Sequence, residues 1–165
     1  MPEPHFHHVP RGAGETLWFG GAHQTIKAPG AWSDRKFSLV EVAAPRGRAT
    51  PLHRDPSDET FYLLEGTMLF YIDGVERGAT AGETVTLRKG VPHAFLVTSD
   101  VVRFLVLNTP GTHDYYFRDG GEPATHNDFA SAPAPDFARV ERSNIKHHVE
   151  ILGPPPFAAL VPARP

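Results

Sequence analysis

Several residues in the middle of the chain have the types and spacing of a metal site. His53 and Asp55 are two residues apart, so their side chains share a face if they lie in a strand. Glu59 follows after a break at Pro56-Ser57, and His93 opens a later apolar run. If the imidazoles and Glu59 meet in an apolar interior, a divalent cation would offset the cost of burying them unpaired. A metal with open coordination positions in such surroundings is typical of non-haem oxygen-activating sites.

The apolar residues that alternate with Glu59 and His93 along the two predicted strands should line the same interior. They are Phe61, Leu63, Phe95 and Val97. These four side chains are the predicted substrate pocket.

Five other histidines have no motif context, and we predict no functional role for them. They are His23, His113, His126, His147 and His148. His5, His7 and His8 form a cluster that could bind metal, but they lie in residues 1–14, a segment without periodicity that we interpret as a solvated terminal arm.

Short apolar runs separated by turns predict the elements that must position these side chains. The predicted strands are Thr16–Phe19, His23–Lys27, Lys36–Ala43, Glu59–Leu64, Met68–Ile72, Glu83–Leu87, His93–Thr98 and Val101–Asn108. Asp73-Gly74 predicts a hairpin turn because both residues tolerate positive φ. Closely spaced strands without intervening helices favour an antiparallel sandwich or barrel.

The end of the chain has a different character. After Pro135, apolar residues recur at helical spacing from Phe137 to Val149, which predicts one amphipathic helix. A proline-rich segment, residues 153–157, follows and is expected to lie on the barrel or on a partner subunit. We therefore divide the chain into an arm (1–14), a barrel (15–118) and a loop, helix and tail (119–165).

Composition narrows the possible functions. The chain has 165 residues, a formal net charge of -3 and no cysteine. That charge gives no broad positive field for nucleic acid, and the lack of cysteine excludes thiolate chemistry. No signal peptide or long apolar run is evident, so we expect a cytoplasmic protein without a membrane partner.

The motif residues resemble those of the cupin superfamily. Gly47, His53, Glu59 and Gly66 have the intervals of its first motif, with Asp55 where the second histidine belongs. Gly82, Gly90 and His93 fit its second motif, in which Arg88 and Val97 replace a proline and an asparagine. The resemblance implies a β-barrel of the jelly-roll type and one divalent metal ion on His53, Glu59 and His93.

Asp55 leaves three interpretations open. It could be a fourth ligand, which favours harder ions such as iron(II), manganese(II) or nickel(II), with zinc and copper as further candidates. It could instead act beside the metal as a general base. In the third interpretation the site has lost its metal.

Within the superfamily, the segments 58–66 and 150–157 are most similar to small cupins grouped with quercetinase. That resemblance implies a dioxygenase acting on a flavonol-like or polyphenolic substrate, in which Glu59 accepts a substrate proton as well as binding metal. Aromatic polyketide cyclases and non-catalytic small-molecule-binding cupins are the alternatives. The resemblance also implies a homodimer, with the strand at Leu17–Phe19 covering a sheet edge.

Overall fold

The computed structural model describes residues 5–158, whose strands form two antiparallel sheets around a shared hydrophobic core. The strands are β1 Glu15–Phe19, β2 Ala22–Ala28, β3 Ser38–Pro45, β4 Leu52–Arg54, β5 Asp58–Glu65, β6 Thr67–Ile72, β7 Val75–Thr80, β8 Thr84–Leu87, β9 His93–Val97, β10 Val101–Thr109, β11 Glu122–Pro123 and β12 Glu150–Gly153. One sheet has the order β11-β1-β2-β3-β10-β5-β8, and the other has the order β12-β4-β9-β6-β7. This architecture confirms the predicted all-β antiparallel fold, and each of the eight predicted strands overlaps an observed one.

Alternating side chains explain how the strands enclose a core. In β3 every second residue is buried, and Val40 and Val42 point inward. The interior is rich in aromatic rings, because Phe61 contacts Phe70 and Phe104 at ring-centre distances of 5.2 and 5.7 Å. Such rings contribute large apolar areas and pack edge to face.

The predicted hairpin is present, with Asp73 and Gly74 at φ values of 47° and 89° between β6 and β7. The predicted edge-covering role of Leu17–Phe19 in a dimer stays a prediction. These residues belong to β1, which pairs with β2 on one side and with β11 on the other. The homodimer stays a prediction.

Two helices follow the barrel strands. The predicted helix is α2, Phe137–Lys146, where the Asp136 carboxylate caps the amino end by accepting from the Arg139 amide at 2.9 Å. The other, α1, His113–Gly120, was not predicted, because aromatic rings form its apolar face and Thr112 gives no side-chain cap. Within residues 5–158, neither helix is long and apolar enough to cross a membrane.

The two helices pack on each other. Ser143 Oγ donates to the Tyr116 carbonyl at 2.8 Å, and the Asp119 carboxylate contacts Lys146 Nζ and His147 Nε2 at 2.7 and 2.5 Å. After α2, β12 pairs with β4. The tail then buries Phe157 against β9.

The predicted domain boundaries stay a prediction. Residues 5–14 form no helix or strand and are mostly exposed. Residues 1–4 of the predicted arm and 159–165 of the predicted tail lie outside the described residues.

Candidate metal centre

His53 and His93 lie on neighbouring strands that bring their rings together. The two residues are register partners of β4 and β9, and their ring centres are 4.3 Å apart. The Nδ1 atom of His53 lies 2.8 Å from the Pro51 carbonyl, and that of His93 lies 2.9 Å from the Val91 carbonyl. A carbonyl can only accept, so Nδ1 carries the proton in the neutral rings and Nε2 is left with its lone pair toward the cavity.

Glu59 reaches the same point from β5 in the opposite sheet. Its Oε2 atom lies 2.9 Å from His93 Nε2. Its Oε1 atom accepts a hydrogen bond of 3.0 Å from Nδ2 of Asn108, the residue paired with Glu59 across β5 and β10. Asn108 is fully buried, so this hydrogen bond orients the carboxylate from behind.

Asp55 directly follows β4 and is 4% exposed. Its Oδ2 atom lies 3.1 Å from His53 Nε2 and 3.5 Å from His93 Nε2. Burial alone would raise the pKa of Asp55, but the charges of His113, His53 and His93 and a hydrogen bond from His53 outweigh it, so the pKa is lowered. Burial likewise opposes the charge of His93, yet Glu59 raises the pKa of that imidazole. Without a metal the cluster therefore favours an ion-pair network.

His113, for which the sequence predicted no role, joins this cluster from α1. Its Nε2 atom lies 3.4 Å from Asp55 Oδ1 and 3.8 Å from Glu59 Oε1. Two signals could have found it. His113, Tyr116 and Phe117 have the spacing of one helical face, and a first motif lacking one histidine invites a search for another imidazole.

The cluster opens into a cavity of about 90 Å³. Its apolar wall includes Phe61 and Phe95, as predicted. Leu63 and Val97 were predicted beside them, but they do not line the cavity and belong to the packed core. Both follow the predicted inward alternation, but they lie two residues further from Glu59 and His93 than the lining rings do, where core side chains fill the interior.

Polar and aromatic side chains complete the cavity wall. Arg48 and Gln24 lie there together with Tyr116, whose hydroxyl donates to Asn144 Oδ1 at 2.9 Å. Arg48 makes no ion pair with any residue of the 5–158 segment, and burial lowers the pKa of its guanidinium. Burial also raises the pKa of Tyr116, so its phenol stays protonated.

The donor set fits a divalent cation. The candidate ligand atoms of His53, Asp55 and His93 lie within 4.8 Å of one another, as do those of Asp55, Glu59 and His113. When the neighbouring imidazole Nε2 atoms are unprotonated, as metal binding requires, both Asp55 oxygens and Glu59 Oε2 are buried without a hydrogen-bond donor in the described part of the chain. Two carboxylates and neutral imidazoles carry two negative charges, which a divalent ion would balance.

Comparisons with known proteins find chains that are similar in sequence or in fold. Residues 39–108 match the family model described as Cupin domain. Quercetin 2,3-dioxygenase of Bacillus subtilis (strain 168) is 28% identical over 123 residues, which are 74% of this chain and 36% of that protein. The chain therefore spans little more than a third of that relative's length.

Two solved structures show the same fold. An RmlC-like cupin from Shewanella frigidimarina NCIMB 400 is 18% identical with a TM-score of 0.58, covering 67% of this chain and 96% of its own. KdgF from Halomonas sp. is 20% identical with a TM-score of 0.52, covering 58% of this chain and 84% of its own.

Proposed function

We propose that this chain is a metal-dependent enzyme of the cupin family and that its reaction is the dioxygenation of an aromatic substrate with adjacent oxygens. The observation that carries this proposal is the convergence of imidazole Nε2 atoms and two carboxylates at an aromatic-walled cavity. The similarity to quercetin 2,3-dioxygenase supports the reaction class.

His53, His93 and Glu59 would hold the ion, with Asp55 as a further oxygen donor. A bound divalent metal would supply Lewis acidity toward the substrate oxygens. The protein contributes orientation, because backbone carbonyls fix both imidazoles and Asn108 fixes Glu59.

Two carboxylates are available to move a proton. With His93 Nε2 unprotonated, Glu59 Oε2 has no hydrogen-bond donor among residues 5–158 and can accept the proton of a substrate hydroxyl. The lowered pKa of Asp55 keeps this carboxylate ionised and free to accept a proton, although it also makes Asp55 a weaker base than an ordinary aspartate. Asp55 and Glu59 are therefore the proposed catalytic residues.

The cavity restricts the size and charge of the substrate. At about 90 Å³ it is far smaller than the roughly 300–1,000 Å³ of sites for drug-sized ligands. It therefore suits a single-ring phenol better than a full flavonol. Arg48, without an anionic partner in the described chain, would pair with a phenolate or carboxylate of that substrate.

Metal analysis and an oxygen electrode test the proposal together. Protein expressed without a chelating tag should carry close to one divalent ion per chain, and it should consume oxygen in proportion to phenol turned over. Turnover of an aromatic substrate without oxygen uptake would refute the dioxygenase and fit a cyclase.

Variants test the ligands. Glu59→Ala and His93→Ala should each lose stoichiometric metal while retaining the circular dichroism of the wild type, because each removes a donor from the cluster. His126→Ala, an exposed histidine outside the cavity, is the matched control. Full metal content in either ligand variant would contradict the assignment.

A further inference from the structure

The described barrel strands and the turn after β4 bring only two imidazoles to the metal centre, because Asp55 stands where the first motif has its second histidine. A third imidazole comes from outside the barrel, on α1. We propose that His113 is a metal ligand that replaces the histidine missing at position 55. This inference rests on the metal site proposed above.

The distances around His113 are those of donors that share an ion. With metal bonds of about 2.0–2.2 Å, two ligand atoms on one ion lie roughly 2.8–4.4 Å apart. His113 Nε2 lies 3.4 Å from Asp55 Oδ1 and 3.8 Å from Glu59 Oε1. His113 Nε2 is therefore close enough to both carboxylates to share an ion with them.

The ring is also held in an orientation suited to ligation. His113 is 6% exposed and packs against Tyr116 and Phe117, with ring centres 5.1 and 5.2 Å away. Its Nδ1 atom faces Ser57 Oγ at 3.4 Å, which leaves Nε2 directed at the carboxylates. Asp55 Oδ1, toward which Nε2 points, is a buried oxygen without a hydrogen bond. A shared ion would satisfy both atoms.

The loop before α1 places His113 through a close backbone contact. A Cβ atom on Gly30 would lie 1.8 Å from the Gly111 carbonyl oxygen, and one on Gly111 would lie 2.2 Å from the Phe37 backbone. Only glycine permits this approach. The amino end of α1 is thereby fixed against the segment that leads into β3.

Counting the imidazoles on a bound ion tests the inference. Metal-free protein is loaded with one equivalent of Cu²⁺, and pulsed EPR is recorded with and without ¹⁵N-histidine labelling. The wild type should show three coordinated imidazoles, whereas His113→Gln should show two. Two in the wild type would overturn the proposal even if the variant failed to fold.

Affinity for Co²⁺, measured by competition with a chelating dye, gives a second readout. His113→Gln should bind at least 10–100-fold more weakly, the loss seen when even a supporting residue is removed. Asp55→His in the His113→Gln background should recover affinity, because it restores the third imidazole. His126→Ala should bind as the wild type does.

The outcomes separate this inference from the proposed function. A wild type that binds no metal would refute both. Stoichiometric metal with unchanged affinity in His113→Gln would refute the role of His113 alone.

Discussion

Asn108→Leu removes the hydrogen bond that orients the Glu59 carboxylate and leaves every proposed metal ligand unchanged. Asn108 Nδ2 donates to Glu59 Oε1 at 3.0 Å and lies 3.4 Å from Ser57 Oγ. Leucine has a similar volume but no donor, so the carboxylate loses its fixed orientation. A hydrogen bond to a charged group contributes about 1.5–3 kcal/mol, or roughly 10–100-fold in affinity. This agrees with the 10–100-fold effect of residues that support metal ligands.

The metal-free protein should also lose stability, because the same hydrogen bond is present without metal and its loss leaves a buried carboxylate oxygen without that donor. Leucine also removes Asn108 Oδ1, which is buried without a partner in the described chain, and this offsets part of the cost. We expect the free energy of unfolding of the metal-free variant to fall by about 1–2 kcal/mol.

Co²⁺ competition with a chelating dye measures the affinity, and urea denaturation of metal-free protein measures the stability. Thr86→Val is the control, because it removes an exposed hydrogen bond to Thr60 on the outer face. Unchanged Co²⁺ affinity in a folded Asn108→Leu variant would show that Asn108 does not orient Glu59 for the metal.

Three further predictions concern the tail, the helix pair and the cavity. Phe157→Ala should lower the free energy of unfolding by about 3–5 kcal/mol in urea denaturation, because the ring is 1% exposed, and a loss below about 1 kcal/mol would contradict tail docking. Hydrogen bonds from Lys146 and His147 lower the pKa of Asp119. The ionised carboxylate therefore stabilises the folded protein above the unfolded pKa of about 3.9, and this stabilisation is lost as pH falls through the pKa of the folded state. Asp119→Asn should therefore lower the free energy of unfolding by about 0.2–1 kcal/mol at neutral pH and leave it unchanged in acid. A difference in urea denaturation that does not depend on pH would refute this ion pair. Arg48→Met should keep the wild-type metal content but raise KM for an anionic phenol about tenfold or more, and an unchanged KM would exclude that contact.

The sequence predicted the barrel and four members of the cluster because their signals are local. His53 and Asp55 are neighbours in the chain, and Glu59 and His93 begin strands whose alternation is visible. The spacing of the two cupin motifs then predicted that these segments meet in the folded protein. Asp73-Gly74 marked its hairpin by backbone preference alone.

The parts that were missed depend on contacts between distant segments. His113 enters the site because α1 packs against the barrel, and the helical spacing of His113, Tyr116 and Phe117 does not show where that helix packs. Leu63 and Val97 have the correct alternation, but alternation along a strand does not reveal how deep the cavity extends.

The position of β12 has a consequence for the order in which the protein matures. β4 has only three residues, and it lies between β9 and β12. Ile151 of β12 is the register partner of His53, so this imidazole is flanked by a strand that lies roughly a hundred residues later in the sequence. Such pairings across long sequence separations close late in folding. During synthesis, His53 would be held loosely until β12 has emerged and paired with β4, so metal acquisition should follow the formation of that strand pair.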